Sequence, residues 1–397
     1  MSDWKACAVP DSFVKNKVGR QNQIPAKDIS GVGRFPVIDQ GQEFVAGYCD
    51  DESKVINFDL PLIIFGDHTR CFKYIDFPFV LGADGTKVIL PNKKLYDPKF
   101  YYFAMLALEL PSRGYNRHFK ALNERSLPLP PLPEQKKIAH ILSTVQRAIE
   151  VQERIIKTTT ELKKALMHKL FTEGLRNEPQ KQTDIGPVPE SWEVVELEAK
   201  AKSFQYGTSV KCGYGVDGKP VLRIPNVVGG HVDLIDLKFG NPKKNELGKL
   251  SLELGDLLFV RTNGVKENAG RCSIFNGELA DCYFASYLIR VRLDPTILNP
   301  DFLNEFSRTE VGTSFLSGKA IRTADGKFNI NSGTLKKMLV PVPPIDEQKE
   351  IALNLSLVDD KICNTMAKKA CLQDLFRTLL HELMTAKTRV QNLNISA

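Results

Sequence analysis

Two stretches of the chain place apolar residues in alternating steps of four and three. The first runs Ile138, Leu142, Val145, Ile149, Gln152, Ile156, Thr159, Lys163, Leu166 and Leu170. The second runs Ile351, Leu355, Val358, Ile362, Thr365, Lys369, Leu372, Phe376, Leu379 and Leu383. Steps of four and three line one seam of a helix, the pattern of a coiled coil. Polar residues occupy the middle of both seams. Each predicted helix has about 38 residues, or ~57 Å at 1.5 Å per residue. A helix of that length cannot bury its stripe alone, and the shared phase predicts that the two pack on each other. The alternative is a pair of amphipathic core helices in separate domains.

The two stretches are copies. Residues 128–139 read PLPPLPEQKKIA and residues 341–352 read PVPPIDEQKEIA, an offset of 213 (from 128 to 341). The same offset carries Leu142 to Leu355, Ser143 to Ser356, Leu166 to Leu379, His168 to His381 and Thr172 to Thr385. The period lies far beyond the ~20–50 residues of solenoids, so it reads as a duplicated domain-plus-helix unit. Proline fixes φ and lacks an N–H, so 128–133 is excluded from a helix interior, although Pro133 fits a first turn. In the second copy Asp346 stands at that place and is expected as the N-cap. Glu134 and Glu347 then lie at the positive end of a helix dipole.

Two globular segments precede the helices, and they share an order of features. Each opens on a tryptophan, Trp4 or Trp192. A strand follows a glycine (Gly33 to Ile38; Gly218 to Arg223), then comes an apolar run (Leu60 to Gly66; Gly255 to Arg261). A second strand (Thr86 to Leu90; Tyr287 to Arg292) leads to a helix start at Asp97-Pro98 or Asn299-Pro300. β-Branched and aromatic runs broken by Gly and Asn predict mainly-β domains with few helices. Between the repeats, residues 173–190 (EGLRNEPQKQTDIGPVPE) are polar and rich in Gly and Pro, and read as a linker.

Composition adds little beyond a permissive charge. The chain has 397 residues and a formal net charge of +7, compatible with an acidic partner such as DNA without requiring one. Its eight cysteines form no C-x-x-C pair, and no Cys/His cluster has zinc spacing, so they read as reduced thiols. The N-terminus has no apolar signal region, and no apolar run approaches the ~18–20 residues of a membrane span. A cytoplasmic protein is expected.

Catalytic motifs are missing. No G-x-x-x-x-G-K-[ST] phosphate loop occurs, and neither Asn241-Pro242-Lys243 nor Asn299-Pro300-Asp301 makes the N-P-P-[YF] turn of an amino-methyltransferase. Gly213-Tyr214-Gly215-Val216-Asp217-Gly218 matches G-x-G-x-x-G but precedes a strand, where a cofactor loop opens a helix. Asp50-Asp51-Glu52-Ser53-Lys54 has the residue types of a nuclease site and the sequence of a solvated turn.

The doubled P-x-P-P-x-x-E-Q-K-x-I-A lead-in with its long helix resembles the specificity subunits of type I restriction–modification systems. So does Phe171-Thr172-Glu173-Gly174-Leu175-Arg176, followed by Lys181, Thr183, Ile185-Gly186, Pro189 and Trp192. The resemblance spans essentially the whole chain. It implies an α+β chain with two mainly-β target recognition domains, separated by two long antiparallel coiled-coil helices in a pseudo-twofold repeat. The expected parts are recognition domain 1 over 1–127, a first helical spacer over 128–175, a linker over 176–190, recognition domain 2 over 191–340, a second spacer over 341–388 and a tail over 389–397. Each domain would read one half of a bipartite, asymmetric double-stranded DNA target. The helices would set the spacing and dock two methyltransferase subunits through Glu134, Gln135, Lys136, Glu347, Gln348 and Lys349. S-adenosylmethionine, ATP and Mg would reside on those subunits and on a restriction translocase, and the present chain would carry no cofactor, metal or catalytic residue.

DNA reading needs Lys and Arg for phosphates and Arg, Asn or Gln for base edges. The candidates sit in glycine-containing loops. In the first domain they are His68, Thr69, Arg70, Arg113, Asn116, Arg117 and Lys120. In the second they are Arg261, Thr262, Asn263, Lys266, Lys319, Arg322 and Lys327. A duplicated-helix scaffold or adaptor without DNA binding is the alternative, and it would show no salt-dependent affinity for DNA.

Overall fold

A computed structural model describes residues 4–16, 18, 22–83, 85–111, 117–227 and 229–394. The chain divides into two compact units, Met1–Arg154 with Met366–Ala397, and Ile155–Thr365. Both long helices form, Leu132–Glu173 and Ile345–Met384, and each contributes one part to each unit. All positions of both predicted seams are buried or half-buried.

In the first unit the helix segments run antiparallel. Arg389, just past the last helix, reaches Glu134 at the start of the first, while Lys369 reaches Glu153 further along. Ile138, Leu142 and Leu383 are buried in one core with Phe100, Phe103 and Leu127 of the globular domain. That domain has two four-stranded sheets. One orders 13–14, 86–91, 62–66 and 72–75, and the other 23–24, 80–82, 35–38 and 47–49. The central strand Leu62–Gly66 is buried at every residue, which explains its unbroken apolar run. Lys5–Ala8 pairs with Ser126–Leu129, closing the domain beside the start of the long helix.

The second unit repeats these elements. Its four-stranded sheet orders 201–206, 288–293, 256–260 and 272–275, with a three-stranded sheet of 238–240, 219–222 and 283–284. Glu193–Glu196 pairs with Leu339–Val342, as Lys5–Ala8 pairs in the first unit. Here too the helix segments are antiparallel: Leu175, after the first helix, meets Glu347 at the start of the last, and Lys163 meets Asp359. The predicted helix starts after Asp97 and Asn299 form, capped by those side chains.

Two expectations change. Asp346 is not an N-cap, because the helix opens one residue earlier at Ile345, and Asp346 occupies the second position of the first turn as Pro133 does in the other copy. The segment read as linker contains a hairpin, Gln180–Thr183 against Gly186–Pro189, with Gly186 at φ +100° directly after its two-residue turn. Val188 of that hairpin is buried with Trp192, so part of the polar stretch packs into the core.

The E-Q pair of the repeated lead-in holds each unit together. Glu134 accepts hydrogen bonds from Trp4 Nε1 (3.1 Å) and from Arg389 Nε and Nη2 (2.9 and 3.1 Å). Glu347 accepts from Trp192 Nε1 (3.4 Å) and Leu175 N (2.8 Å), with Arg176 Nε at 3.5 Å. Arg176 and Arg389 are equivalent at the repeat offset. Gly174, at φ +63°, ends the first helix beside Glu347, and a Cβ there would lie 2.7 Å from Glu347 Oε1. Gln135 accepts from Asp97 N (2.8 Å) and donates to the carbonyls of Leu95 (2.9 Å) and Pro130 (2.8 Å). Gln348 accepts from Asn299 N (2.7 Å) and donates to the carbonyls of Ile297 (3.0 Å) and Pro343 (2.8 Å).

Gln135→Ala or Gln348→Ala therefore removes three hydrogen bonds to the backbone, one of them to a buried carbonyl and two to partly buried groups. Each variant is expected to lose about 2–4 kcal/mol in urea unfolding, while Lys136→Ala, on the exposed side of the same turn, stays within about 0.5 kcal/mol. Equal stabilities for Gln348→Ala and Lys136→Ala would contradict this role.

Candidate nucleic-acid interface

In both domains the candidate loops begin where the buried central strand ends, at Gly66 and at Val260. In the second domain the next residue is Arg261. Its N–H donates to the carbonyl of Tyr287 (2.8 Å), and its own carbonyl accepts from Ile330 N (2.9 Å). The guanidinium lies 4.8 Å over the ring of Tyr206 and donates to the carbonyl of Ser286 (3.3 Å), so the side chain is held in place while half-exposed. Thr262–Asn263 then pairs with Phe328–Asn329, which pairs with Ile321–Arg322. This small sheet brings Arg261, Thr262 and Asn263 together with Arg322 and Lys327, although some 60 residues separate the two groups in sequence.

Lys266, Lys319, Arg322 and Lys327 are exposed. Lys319 is the C-cap of the helix Glu310–Gly318, where a cation suits the dipole. Lys327 lies 3.0 Å from Asp325, which raises the lysine pKa and keeps it charged. The Asp325 carboxyl is lowered to about 2, first by the Thr323 hydroxyl and then by Lys327. Asn263 spends its side-chain carbonyl on Val265 N (2.9 Å), shaping the turn toward Lys266.

In the first domain Asp67 follows the strand. Its carbonyl accepts from His118 N (2.8 Å) and its carboxylate from Phe119 N (2.7 Å). These bonds tie the turn of His68, Thr69 and Arg70 to the helix Phe119–Asn123, and so to Arg117 and Lys120, both exposed. The joint corresponds to the one from Arg261 to Ile330. Thr69 and Arg70 are engaged inward: the Thr69 hydroxyl donates to the carbonyl of Gln40 (2.5 Å), and Arg70, at φ +62°, donates to the carbonyl of Leu110 (2.9 Å). Gln40 also accepts from His68 N (3.2 Å), and buried Lys73 donates to the carbonyls of Asp39 (2.9 Å) and Glu43 (2.5 Å), so the 39–43 loop is braced beneath this turn. Burial lowers the Lys73 pKa, against the charge of Asp39. Arg113 and Asn116 lie outside the described residues.

Sequence reasoning missed a second basic group in each domain. In the first, Lys15, Asn16, Gln23 and Lys87 line a groove with Phe13 and Phe119. In the second, Lys211, Arg223 and Lys238 line a groove with Thr208, Ser286 and Tyr287, next to Arg261. Arg223 donates to Asp236 (2.6 Å), as does Tyr214, and Lys238 sits 4.6 Å over the Tyr214 ring. The hydrogen bond from Tyr214, then that from Arg223, lowers the Asp236 pKa. Nothing local marks these residues: Lys15 and Lys87 meet only because Phe13–Val14 pairs antiparallel with Leu90–Pro91.

The residues read as docking elements divide. Glu134, Gln135, Glu347 and Gln348 are at most 3% exposed and bonded within their own units, so they fasten each unit and offer no surface. Lys136 and Lys349 are exposed. The Asp50–Lys54 run is a solvated turn, with Asp51 capping Ser53 N (3.0 Å). Gly213–Gly218 leads into the strand Lys219–Leu222. No group of three or more His, Cys, Asp or Glu suited to a metal ion occurs among the described residues, and no helix among them is long and apolar enough to cross a membrane.

The family model described as "Type I restriction modification DNA specificity domain" matches residues 1–161, the first domain and most of the first helix. The specificity subunit of the MjaVIII type I restriction enzyme of Methanocaldococcus jannaschii is 29% identical over 347 residues, covering 79% of this chain and 76% of its own. Over most of its length the chain is thus similar to type I restriction–modification specificity subunits. The EcoKI specificity subunit of Escherichia coli is 26% identical over 277 residues, which are 67% of this chain and 59% of that subunit. A crystal structure of a type I specificity subunit from M. genitalium shares the fold, with a TM-score of 0.62 at 17% identity over 96% of each chain. In this chain the two equivalent joints, after Gly66 and after Val260, carry different side chains in the two copies.

Arg117→Ala and Lys120→Ala are expected to weaken DNA binding for all sequences alike and to lower the salt slope by about one each. Arg261→Ala is expected to lose about 1–3 kcal/mol of discrimination in one half of the target. Fluorescence anisotropy against oligonucleotides varied in each half, at several salt concentrations, separates the two effects. Equal relaxation of both halves by Arg261→Ala would overturn the assignment.

Proposed function

We propose that each globular domain reads one half of a bipartite, asymmetric DNA target. In this reading domain 1 spans 1–127 and domain 2 spans 191–340, and the helices set the distance between the halves. The supporting observation is the same basic, turn-borne cluster at the end of the central strand in both domains, with a different set of side chains in each. Exposed Arg117, Lys120, Lys266, Lys319, Arg322 and Lys327 supply phosphate contacts. Arg261, Asn263 and the polar side chains of the two grooves are placed to read base edges.

The chain itself performs no chemistry in this proposal and works in the cytoplasm. Two methyltransferase subunits bring S-adenosylmethionine, and a restriction subunit brings ATP- and Mg-dependent translocation and cleavage. Exposed faces of the helices, including Lys136 and Lys349, dock the methyltransferases. Calorimetric titration of the purified chain with S-adenosylmethionine is expected to give no saturable heat, and one-to-one binding would refute this division of labour. Methylation mapping of a host expressing the chain with its methyltransferase tests the whole proposal. It should return one motif of two fixed halves around an unread spacer, and a chain that leaves the methylation pattern unchanged would favour a scaffold.

The spacer role has its own test. Lys163 faces Asp359, so Thr158–Thr160 lies opposite Ile362–Asn364. Inserting four residues at both places preserves the antiparallel register, adds ~6 Å of helix and leaves ~40° of net rotation. One or two base pairs of B-DNA advance about 3.4–6.8 Å and turn about 35–70°. The variant is expected to methylate unchanged half-sites with a spacer one or two base pairs longer. An active variant with the original spacer would show that the helices do not measure it.

A further inference from the structure

In each unit the short helix that follows the sheet, Pro98–Leu106 or Pro300–Ser307, lies on the paired long helices. Positions on the long helices correspond at an offset of 213. Positions on the short helices correspond at 202 (from Pro98 to Pro300).

The contacts at corresponding positions differ in kind. In the second unit Lys163 Nζ lies 2.9 Å from Glu305 Oε2 and 2.5 Å from Asp359 Oδ2, and Arg308 Nη1 lies 2.8 Å from Glu305 Oε1 and 3.3 Å from Asp359 Oδ2. The side chains of Lys163 and Glu305 are 7% and 6% exposed. Two cations and two carboxylates thus form a linked set, with Lys163 and Glu305 buried and Asp359 and Arg308 partly exposed at its edge. At the corresponding positions of the first unit stand Phe376, Phe103, Gln146 and Leu106, in the places of Lys163, Glu305, Asp359 and Arg308. Phe376 meets Phe103 edge-on, with ring centroids 5.9 Å apart. The same pair of positions is therefore ionic in one unit and aromatic in the other, and no charge remains at any of the four.

We infer that the two seats are keyed: the helix pair of the second unit accepts a recognition domain bearing Glu305 and Arg308, and that of the first accepts one bearing Phe103 and Leu106. A domain on the wrong seat would bury an ion pair against a phenyl ring with half of its partners removed. Desolvated charges stripped of partners are strongly destabilising, while aromatic pairs and complete ionic sets are each tolerated. The surface involved is the face of each helix pair, and its partner is the short helix of one particular recognition domain. Exchange of domains between the two places in the chain is thereby penalised, which fixes the order of the two readers.

The test is a full-length chimera in which residues 4–129 and 192–342 exchange places. A second chimera is re-keyed, with E305F and R308L in the domain now first and F103E and L106R in the domain now second. Thermal unfolding reads the keying whatever the domains bind. The plain chimera is expected to melt on the order of 5 °C or more below the re-keyed one. Equal melting temperatures would overturn the inference. Should neither chimera fold, the parent order decides: K163F is expected to lower the melting temperature, and K163F/E305F/R308L/D359Q to recover most of the loss. A quadruple variant no more stable than K163F would overturn it equally.

Discussion

The architecture of each unit hangs on a buried carboxylate beside a buried amide. Glu134 and Glu347 sit in the first turn of a long helix, where the dipole favours an anion. Each collects an indole N–H from the start of its globular domain and an arginine from beyond the end of the antiparallel helix. One side chain thus ties three parts of the unit that lie far apart in sequence. The neighbouring glutamine, Gln135 or Gln348, satisfies the backbone at the start of the short helix and in the proline lead-in. A carboxylate stripped of water needs such a full set of donors, and here it has them.

That requirement explains why the lead-in was the most legible part of the sequence. Its residues are constrained by one another, so both copies retain them, and the repeat could be read directly. The seams were legible for a related reason, since a stripe in steps of four and three has only one way to be buried. The central strands were visible as unbroken apolar runs because both of their faces are covered. The role of Glu134 and Gln135 was not legible: polar residues in a first helical turn read as surface, and only the fold reveals that Trp4 and Arg389 converge there. The hairpin at 180–189 was hidden similarly, because its short strands are mostly polar and only Val188 and Pro189 are buried.

The candidate interface was half legible. Arg261, Thr262, Asn263, Arg322 and Lys327 could be chosen because they are basic or polar residues in glycine-containing loops. That these two groups share one sheet follows from pairing through Phe328–Asn329, which no local pattern encodes. Thr69 and Arg70 were chosen on the same grounds, yet their side chains bond to carbonyls of the domain itself. A polar residue in a turn is ambiguous until its hydrogen-bond partners are known. The grooves with Lys15 and Lys87, or Lys211 and Lys238, escaped because their residues come from separate strands and loops.

Duplication creates a difficulty that divergence must resolve. Two copies with identical seams and fasteners would form interchangeable seats, and the proposed reading of two unlike half-sites needs the two domains to stay distinct. Loops that read different bases can diverge without disturbing the core, since they extend beyond the ends of the central strands. Loop divergence alone does not determine where a domain docks. The seats must differ as well, and they do so where the short helix meets the long ones, with Lys163 and Asp359 in one copy and Phe376 and Gln146 in the other. Lys163 is tolerable there because Asp359 and Glu305 pair with it and Arg308 completes the set. A lone lysine facing Phe103 would carry an uncompensated desolvation cost. The four residues therefore act as a set, and a set present in one copy only can tell that copy of the repeat from the other.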